Sequence, residues 1–141
     1  MAIERTFAII KPDAVAAHHA GEILSAIEAS GLVIRGLKRV RLTPGLCKGF
    51  YHEHVGKGFY QELEDFMTEG PVVLMCLEGE NAIQRWRDLM GPTDATKAPK
   101  GSLRGDFGTS IERNATHGSD APETAAYEIG FFFNGLELAG L

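Results

Sequence analysis

Cysteine is scarce in this chain, and its scarcity is the first constraint on what the protein can be. Cys47 and Cys76 are the only two in 141 residues, far apart and outside any C-x-x-C pair. That excludes a disulfide framework and fits a reducing compartment. No apolar stretch approaches the ~18 residues that cross a bilayer, and Met1-Ala2-Ile3-Glu4-Arg5 opens with neither a basic nor an apolar leader region. A cytoplasmic location without membrane attachment is the expectation. Basic charge is also lacking, for the net charge is -5, so nucleic acid is at most a minor partner. The densest positive run, Arg35, Lys38, Arg39 and Arg41, reads as a solvated face. Repeats, low-complexity tracts and linkers are absent, which leaves one domain spanning 1–141. With 44% hydrophobic and 23% charged residues, that domain has the ordinary means to bury a core.

What is present falls into an alternation of elements. Thr6 to Ile10 is a short apolar run stopped by Lys11-Pro12-Asp13, a strand followed by a turn. Ile23, Leu24 and Ile27 recur at helical spacing between Gly21 and Ser30. Leu32 to Leu42 reads as a second strand leading into a helix capped by Thr43-Pro44. Phe59, Leu63, Phe66 and Met67 mark another helical stripe, and Val72 to Leu77 is a continuous apolar run typical of a central strand. Asn81 is placed to cap a helix with Ile83, Trp86, Leu89 and Met90 inward. The stretch from Gly91 to Arg113 has no sustained period and is longer than loops without a functional reason tend to be. Asn114 to His117 reads as a short strand and Glu123 to Phe133 as a final helix with Ala126, Ile129 and Phe133 inward. Without the extra helices this is β-α-β-β-α-β. The expected fold is therefore α+β and ferredoxin-like, a four-stranded antiparallel sheet covered by helices on one face, with a long loop near the active site.

The chemistry concentrates in Arg104-Gly105-Asp106-Phe107 and in Asn114-Ala115-Thr116-His117-Gly118-Ser119-Asp120. A neutral imidazole is a competent nucleophile when its proton sits on the ring nitrogen that an acceptor holds. Glu128, on the last expected helix, is the candidate acceptor for His117, and Ser119 can steady that carboxylate. Gly118 leaves the approach to the ring open. Phosphoryl transfer asks a protein mainly for positioning and for positive charge on the equatorial oxygens. Lys11, Arg87 and Arg104, at element ends, are the cations for this task. Tyr51 and Thr93 offer hydroxyl donors, and Phe59 a flat surface for a base. A lone His, Lys or Phe in such places is ordinarily a solvated or core residue, and it is the company of Asn114, Gly118 and Ser119 that tips His117 toward catalysis.

Ile9-Ile10-Lys11-Pro12-Asp13, Gly70-Pro71-Val72-Val73, Leu77-Glu78-Gly79 and Asn114-x-x-His117-Gly118-Ser119-Asp120 together resemble the nucleoside diphosphate kinases, over almost the whole chain. The short chain is similar to the bacterial members. The resemblance implies ping-pong transfer of a terminal phosphoryl group from a nucleoside triphosphate to a nucleoside diphosphate, with broad base and sugar tolerance. Under it His117 matches the nucleophile through Nδ1, Glu128 the acceptor at Nε2 and Ser119 the partner of that carboxylate. Lys11, Tyr51, Arg87, Thr93, Arg104 and Asn114 match the residues holding phosphates and ribose, and Phe59 the ring that stacks on the base. Mg2+ is implied to arrive with the nucleotide, with no protein metal cage, and the chain to assemble as a tetramer or hexamer. The sequence carries no Gly-x-x-x-x-Gly-Lys-Ser/Thr loop, in keeping with this family.

Two segments depart from the family pattern. Gly56-Lys57-Gly58-Phe59-Tyr60 replaces the usual basic-Pro-Phe-Phe order, which loosens the base-side hairpin. Thr93-Asp94-Ala95 replaces Thr-Asn-Pro and is expected to put an extra carboxylate beside the phosphates.

Overall fold

The structure, a computed structural model, describes residues 2–139; Met1, Gly140 and Leu141, at the ends of the expected 1–141 domain, lie outside them. Four strands, β1 (Ile3–Ile10), β2 (Val33–Val40), β3 (Val72–Glu80) and β4 (Thr116–Gly118), form one sheet in the order β2-β3-β1-β4. Every neighbouring pair is antiparallel. The helices are α1 (Pro12–Ala16), α2 (Ala20–Ala29), α3 (Pro44–Phe50), α4 (Tyr60–Met67), α5 (Ala82–Met90), α6 (Leu103–Phe107) and α7 (Pro122–Phe132).

Helices cover both faces of the sheet, which corrects the expectation of one covered face. The central strands are apolar on both sides, so each face needs its own cover. Phe7, Ile9, Leu74 and Cys76 pack with Phe50 of α3, Phe66 of α4 and Ile129 of α7. Ala8, Ile10, Met75 and Leu77 turn the other way, onto Ile23 and Ile27 of α2, Trp86 of α5 and Leu103. Alternation along β1 thus separates two cores across one layer. His117 is paired with Ile9 and so projects on the α7 face, whereas Gly118, paired with Ala8, faces Trp86.

Several local expectations are revised. Lys11-Pro12-Asp13 does not end in a turn; Pro12 opens the short helix α1, where its fixed φ and missing N–H suit the first helical position. Asn81 stands before α5 but makes no capping bond, because its backbone is left-handed (φ 53°). The Ile83 amide there is instead satisfied by Glu4 Oε1 at 2.9 Å, reaching across from β1. The segment from Gly91 to Arg113 is not structureless, for it holds a 3-10 turn at Ala95–Lys97 and then α6. In α7 the inward residue is Ala125 rather than Ala126, which is exposed. The basic run along β2 is largely engaged, with Arg35 on Glu78 and Lys38 on Glu137.

Candidate active site

β4 is only three residues long, yet it carries the imidazole of His117 between two features that its neighbours supply. On one side, α7 brings Glu128, whose Oε1 lies 3.1 Å from His117 Nε2. Ser119 Oγ donates to the same oxygen at 2.9 Å and accepts from the Phe7 amide at 3.1 Å. Ser119 is completely buried, so a chain of bonds runs from the backbone of β1 through a hydroxyl and a carboxylate to the ring. In the neutral ring this places the proton on Nε2, facing the carboxylate, and leaves the lone pair on Nδ1. No group among the described residues hydrogen-bonds Nδ1. Phe50 and Phe7 wall the imidazole edge-on at centroid distances of 5.7 and 6.3 Å.

On the other side opens a cleft of about 270 Å³ lined by Lys11, Arg87, Thr93, Arg104, Asn114 and His117, among others. Lys11 Nζ donates to Asn114 Oδ1 at 2.8 Å, and Asn114 Nδ2 donates to the Thr93 carbonyl at 2.9 Å. Arg104 is 7% exposed and donates to the carbonyls of Gly91 and Thr116, each at 3.0 Å, while its Nε is buried with no partner among the described residues. Arg87 reaches the rim and pairs with Asp120 at 2.7 Å. Burial, with Arg104 close by, pulls the Lys11 ammonium down to about 8. Burial likewise pulls Arg104 down to about 10, with Arg87 adding to the effect. Cations crowded together at such a cost create a strong preference for an anion in the cleft.

The strand reaches this position through a strained turn. Ala115 has a φ of 72°, and the Thr116 amide donates to the Asn114 carbonyl at 2.8 Å, a γ-turn of positive φ. An alanine held there costs about 1–2 kcal/mol. The turn lets Asn114 face the cleft while His117 stays in register with Ile9.

The remaining expected residues are placed less uniformly. Tyr51 is buried beside His117 in a second cavity of about 370 Å³, which also contains Glu128, and burial pushes its hydroxyl well up. Phe59 lines neither cavity; it is 51% exposed, just before α4, with the His54 ring at 5.5 Å. Gly118 does not serve the approach to the ring as expected. A Cβ there would meet Trp86 Cδ1 and Met90 Cε, both at 2.6 Å, so glycine is required for packing under the strand. Asp94 turns away from the cleft to cap its own 3-10 turn, accepting from the Thr96 amide at 3.0 Å, and those bonds hold its carboxyl below the usual range. Two residues make contacts to which the sequence gives no clue: Trp86, whose Nε1 donates to the His117 carbonyl at 3.1 Å, and Asp120, part of the quoted motif but without an expected role, which pairs with Arg87 at the rim. From the sequence Trp86 reads only as a core residue. The i, i+3 spacing of Trp86 and Leu89 carries no sign that the indole also holds a strand.

Comparison with known proteins places the chain among the nucleoside diphosphate kinases. Residues 4–138 match the family model for nucleoside diphosphate kinase. The nucleoside diphosphate kinase of Syntrophotalea carbinolica is 55% identical over 136 residues, covering 96% of this chain and 99% of that protein. The one from Desulfovibrio desulfuricans is 55% identical over 137 residues, covering 97% and 99%. Among solved structures, that of the Aquifex aeolicus nucleoside diphosphate kinase is similar with a TM-score of 0.94 at 47% identity, over 98% of this chain and all of that one. The Halobacterium salinarum nucleoside diphosphate kinase, solved in complex with CDP, has a TM-score of 0.94 at 39% identity, over 99% of this chain and 93% of that one.

Proposed function

We propose, from the premise that this chain belongs to the nucleoside diphosphate kinase family, that it transfers the terminal phosphoryl group between nucleotides through a phosphohistidine at His117. The observation that carries this reading is an imidazole with Nε2 held by Glu128 and Nδ1 without a hydrogen-bond partner among the described residues, at the wall of a cleft into which Lys11, Arg87 and Arg104 converge.

In the first half-reaction Nδ1 attacks the γ-phosphorus of a nucleoside triphosphate. A bond from nitrogen to phosphorus forms, the bond from phosphorus to the β,γ-bridging oxygen breaks, and the nucleoside diphosphate leaves. Positive charge growing on the ring is met by the Glu128 carboxylate across the Nε2–H bond, and Ser119 keeps that carboxylate in place. Lys11 and Arg104 receive the charge of the equatorial oxygens, and Arg87 exchanges Asp120 for a phosphate oxygen. In the second half-reaction a terminal oxygen of another nucleoside diphosphate attacks the same phosphorus, and the nitrogen is released. Tyr51, Thr93 and Asn114 hold phosphate and ribose. Phe59, half in solvent, offers a stacking face that tolerates any base, which supports broad specificity.

Bound to the phosphates of the nucleotide rather than to side chains of this chain, Mg2+ would supply part of the charge that neutralises them. The cationic lining suits that placement, because a bare cation would be repelled by Lys11, Arg87 and Arg104. The whole 1–141 chain acts as one domain in this reading. A homo-oligomer, tetramer or hexamer, is supported by β2, an edge strand with Val33 and Leu37 50% and 53% exposed. A cytoplasmic setting is supported by the free, buried Cys47 and Cys76.

Incubation with γ-labelled ATP and magnesium tests the proposal. The protein is expected to take up an acid-labile, alkali-stable label that a nucleoside diphosphate discharges, and His117→Ala to take up none. A label that persists in His117→Ala sinks it.

A further inference from the structure

We propose that Asp13 is a positioning residue, holding the strand that carries His117 by fixing the strained peptide unit of Ala115. The inference rests on the reading of His117 as the phosphoryl acceptor.

The topology creates the contact. β1 and β4 run antiparallel, and Ile10 is paired with Thr116, so the chain leaving β1 lies beside the chain entering β4. Pro12 starts α1 at once, and Asp13 in its first turn directs its side chain back toward the strand end. Both sides of Ala115 are then tied to this junction. The Ala115 amide donates to Asp13 Oδ2 at 3.1 Å, and its carbonyl accepts from the Lys11 amide at 2.8 Å. Ala115 is completely buried, so water has no access to replace either bond. Without the carboxylate, the Ala115 N–H becomes a buried donor lacking a partner, and nothing on that side opposes relaxation out of the left-handed region. Rotation there would swing Asn114, with its bonds to Lys11 and Thr93, relative to His117.

Asp13 is not among the residues lining the cationic cleft, so it does not act by binding phosphate. Its other oxygen, Oδ1, is buried with no partner among the described residues, and the carboxyl is raised above its usual range, chiefly by burial. A carboxylate kept in such surroundings for surface solubility would be unreasonable, whereas one placed to hold a buried amide is explained.

The test compares full-length Asp13→Ala, Asp13→Ser, Asp13→Asn and Asp13→Ala/Ala115→Gly with the wild type and with His117→Ala. Two quantities are read: the single-turnover rate of labelling from γ-labelled ATP, and hydrogen exchange at the residue 115 amide. Removing the acceptor in Asp13→Ala is expected to slow labelling on the order of 10²-fold, the scale of a small misplacement of a reacting group. The residue 115 amide in that variant is expected to exchange faster by a similar factor, about 10². Asp13→Ser, too short to reach the amide, must behave alike if Asp13→Ala is unstable. Asp13→Asn keeps an acceptor oxygen and should label within about threefold of the wild type. Glycine occupies positive φ without strain, so the double variant should regain about tenfold of the lost rate. Wild-type labelling or unchanged exchange in Asp13→Ala overturns the proposal, as does a double variant no faster than the single. If the label instead survives in His117→Ala, the phosphohistidine reading falls, and amide exchange alone still decides whether Asp13 holds Ala115.

Discussion

On the floor of the cleft Asn114, Thr116 and Ser119 are at most 1% exposed, and Asn114 and Ser119 are each bonded to groups from another part of the chain. On the outer side Ile111, in the cleft lining, is 63% exposed, and Phe59, just before α4 and outside that lining, is 51% exposed. The floor is made where β1 and β4 meet and is tied by backbone ladders; the rim is made of the connections from 51 to 59 and from 91 to 113. Under the proposed function the difference follows from what each part would have to do. An attacking nitrogen must be placed to within a fraction of an ångström, so its support is buried and over-determined. A surface that accepts different bases gains from adaptable contact and from stacking that ignores base edges.

The comparison is broken most directly at the floor. Glu128→Ala frees the tautomer of His117 and strands the buried Ser119 hydroxyl, so phosphoenzyme formation should slow on the order of 10²-fold or more, with little change in nucleotide KM. Rapid-quench labelling measures it. A rate equal to that of the wild type would show that the floor does not govern the chemistry.

The two parts also differed in how far the sequence revealed them. That Lys11, Arg87 and Arg104, and likewise His117, Glu128 and Ser119, come together was legible because each residue type answers a chemical need, and the apolar runs of β1 and β3 announced the sheet. What stayed hidden was relational. Ala115 carries no mark of a positive φ, since the preference belongs to glycine and asparagine and here the surrounding bonds impose it. Gly118 was read as an opening to the ring, because the strand's alternation, which turns it toward Trp86, depends on the register with Ala8. The second covering layer was missed for a similar reason: apolar runs such as Val72 to Leu77 show burial on both faces but do not say which helices supply it. Asp94 reads from the sequence as a charge in the cleft, whereas its bonds to Thr96 make it a local cap.

A smaller effect, still at the floor, comes from pH. Burial lowers Lys11 from 10.5 to about 8, so the folded protein gives up this proton before the unfolded chain does. Between those values the unfolded state binds more protons, and this group therefore adds stability as pH rises through the window. Anion binding changes in the opposite sense, because it needs the ammonium. Above pH 8 nucleotide KM should rise by up to about tenfold per unit while thermal stability does not fall on this account. Parallel loss of both would mean that Lys11 is not the group being titrated.

At the rim, Phe59→Ala should leave the labelling rate at saturating ATP within about twofold and raise KM about tenfold, the value of one stacked base. That split would sharpen the division between floor and rim. A fall in the saturated rate comparable to that of Glu128→Ala would erase it.

The smallest effect separates two glycines in the same hairpin. Gly58 has open space around the position of a Cβ and no positive φ, so Gly58→Ala removes freedom from the unfolded chain without strain. About 0.4–1 kcal/mol of stabilisation is expected, worth roughly 1–4 °C in a chain of this size. If the hairpin orders on nucleotide binding, the same restriction lowers KM by about 2–5-fold. Gly56 also has open space but a φ of 91°, and Gly56→Ala should therefore destabilise by about 1 kcal/mol and raise KM. Calorimetric melts and steady-state kinetics of the two variants decide the matter. Opposite signs would show that the rim's looseness is set by backbone freedom at particular residues, whereas equal shifts would trace it to the missing side chains alone.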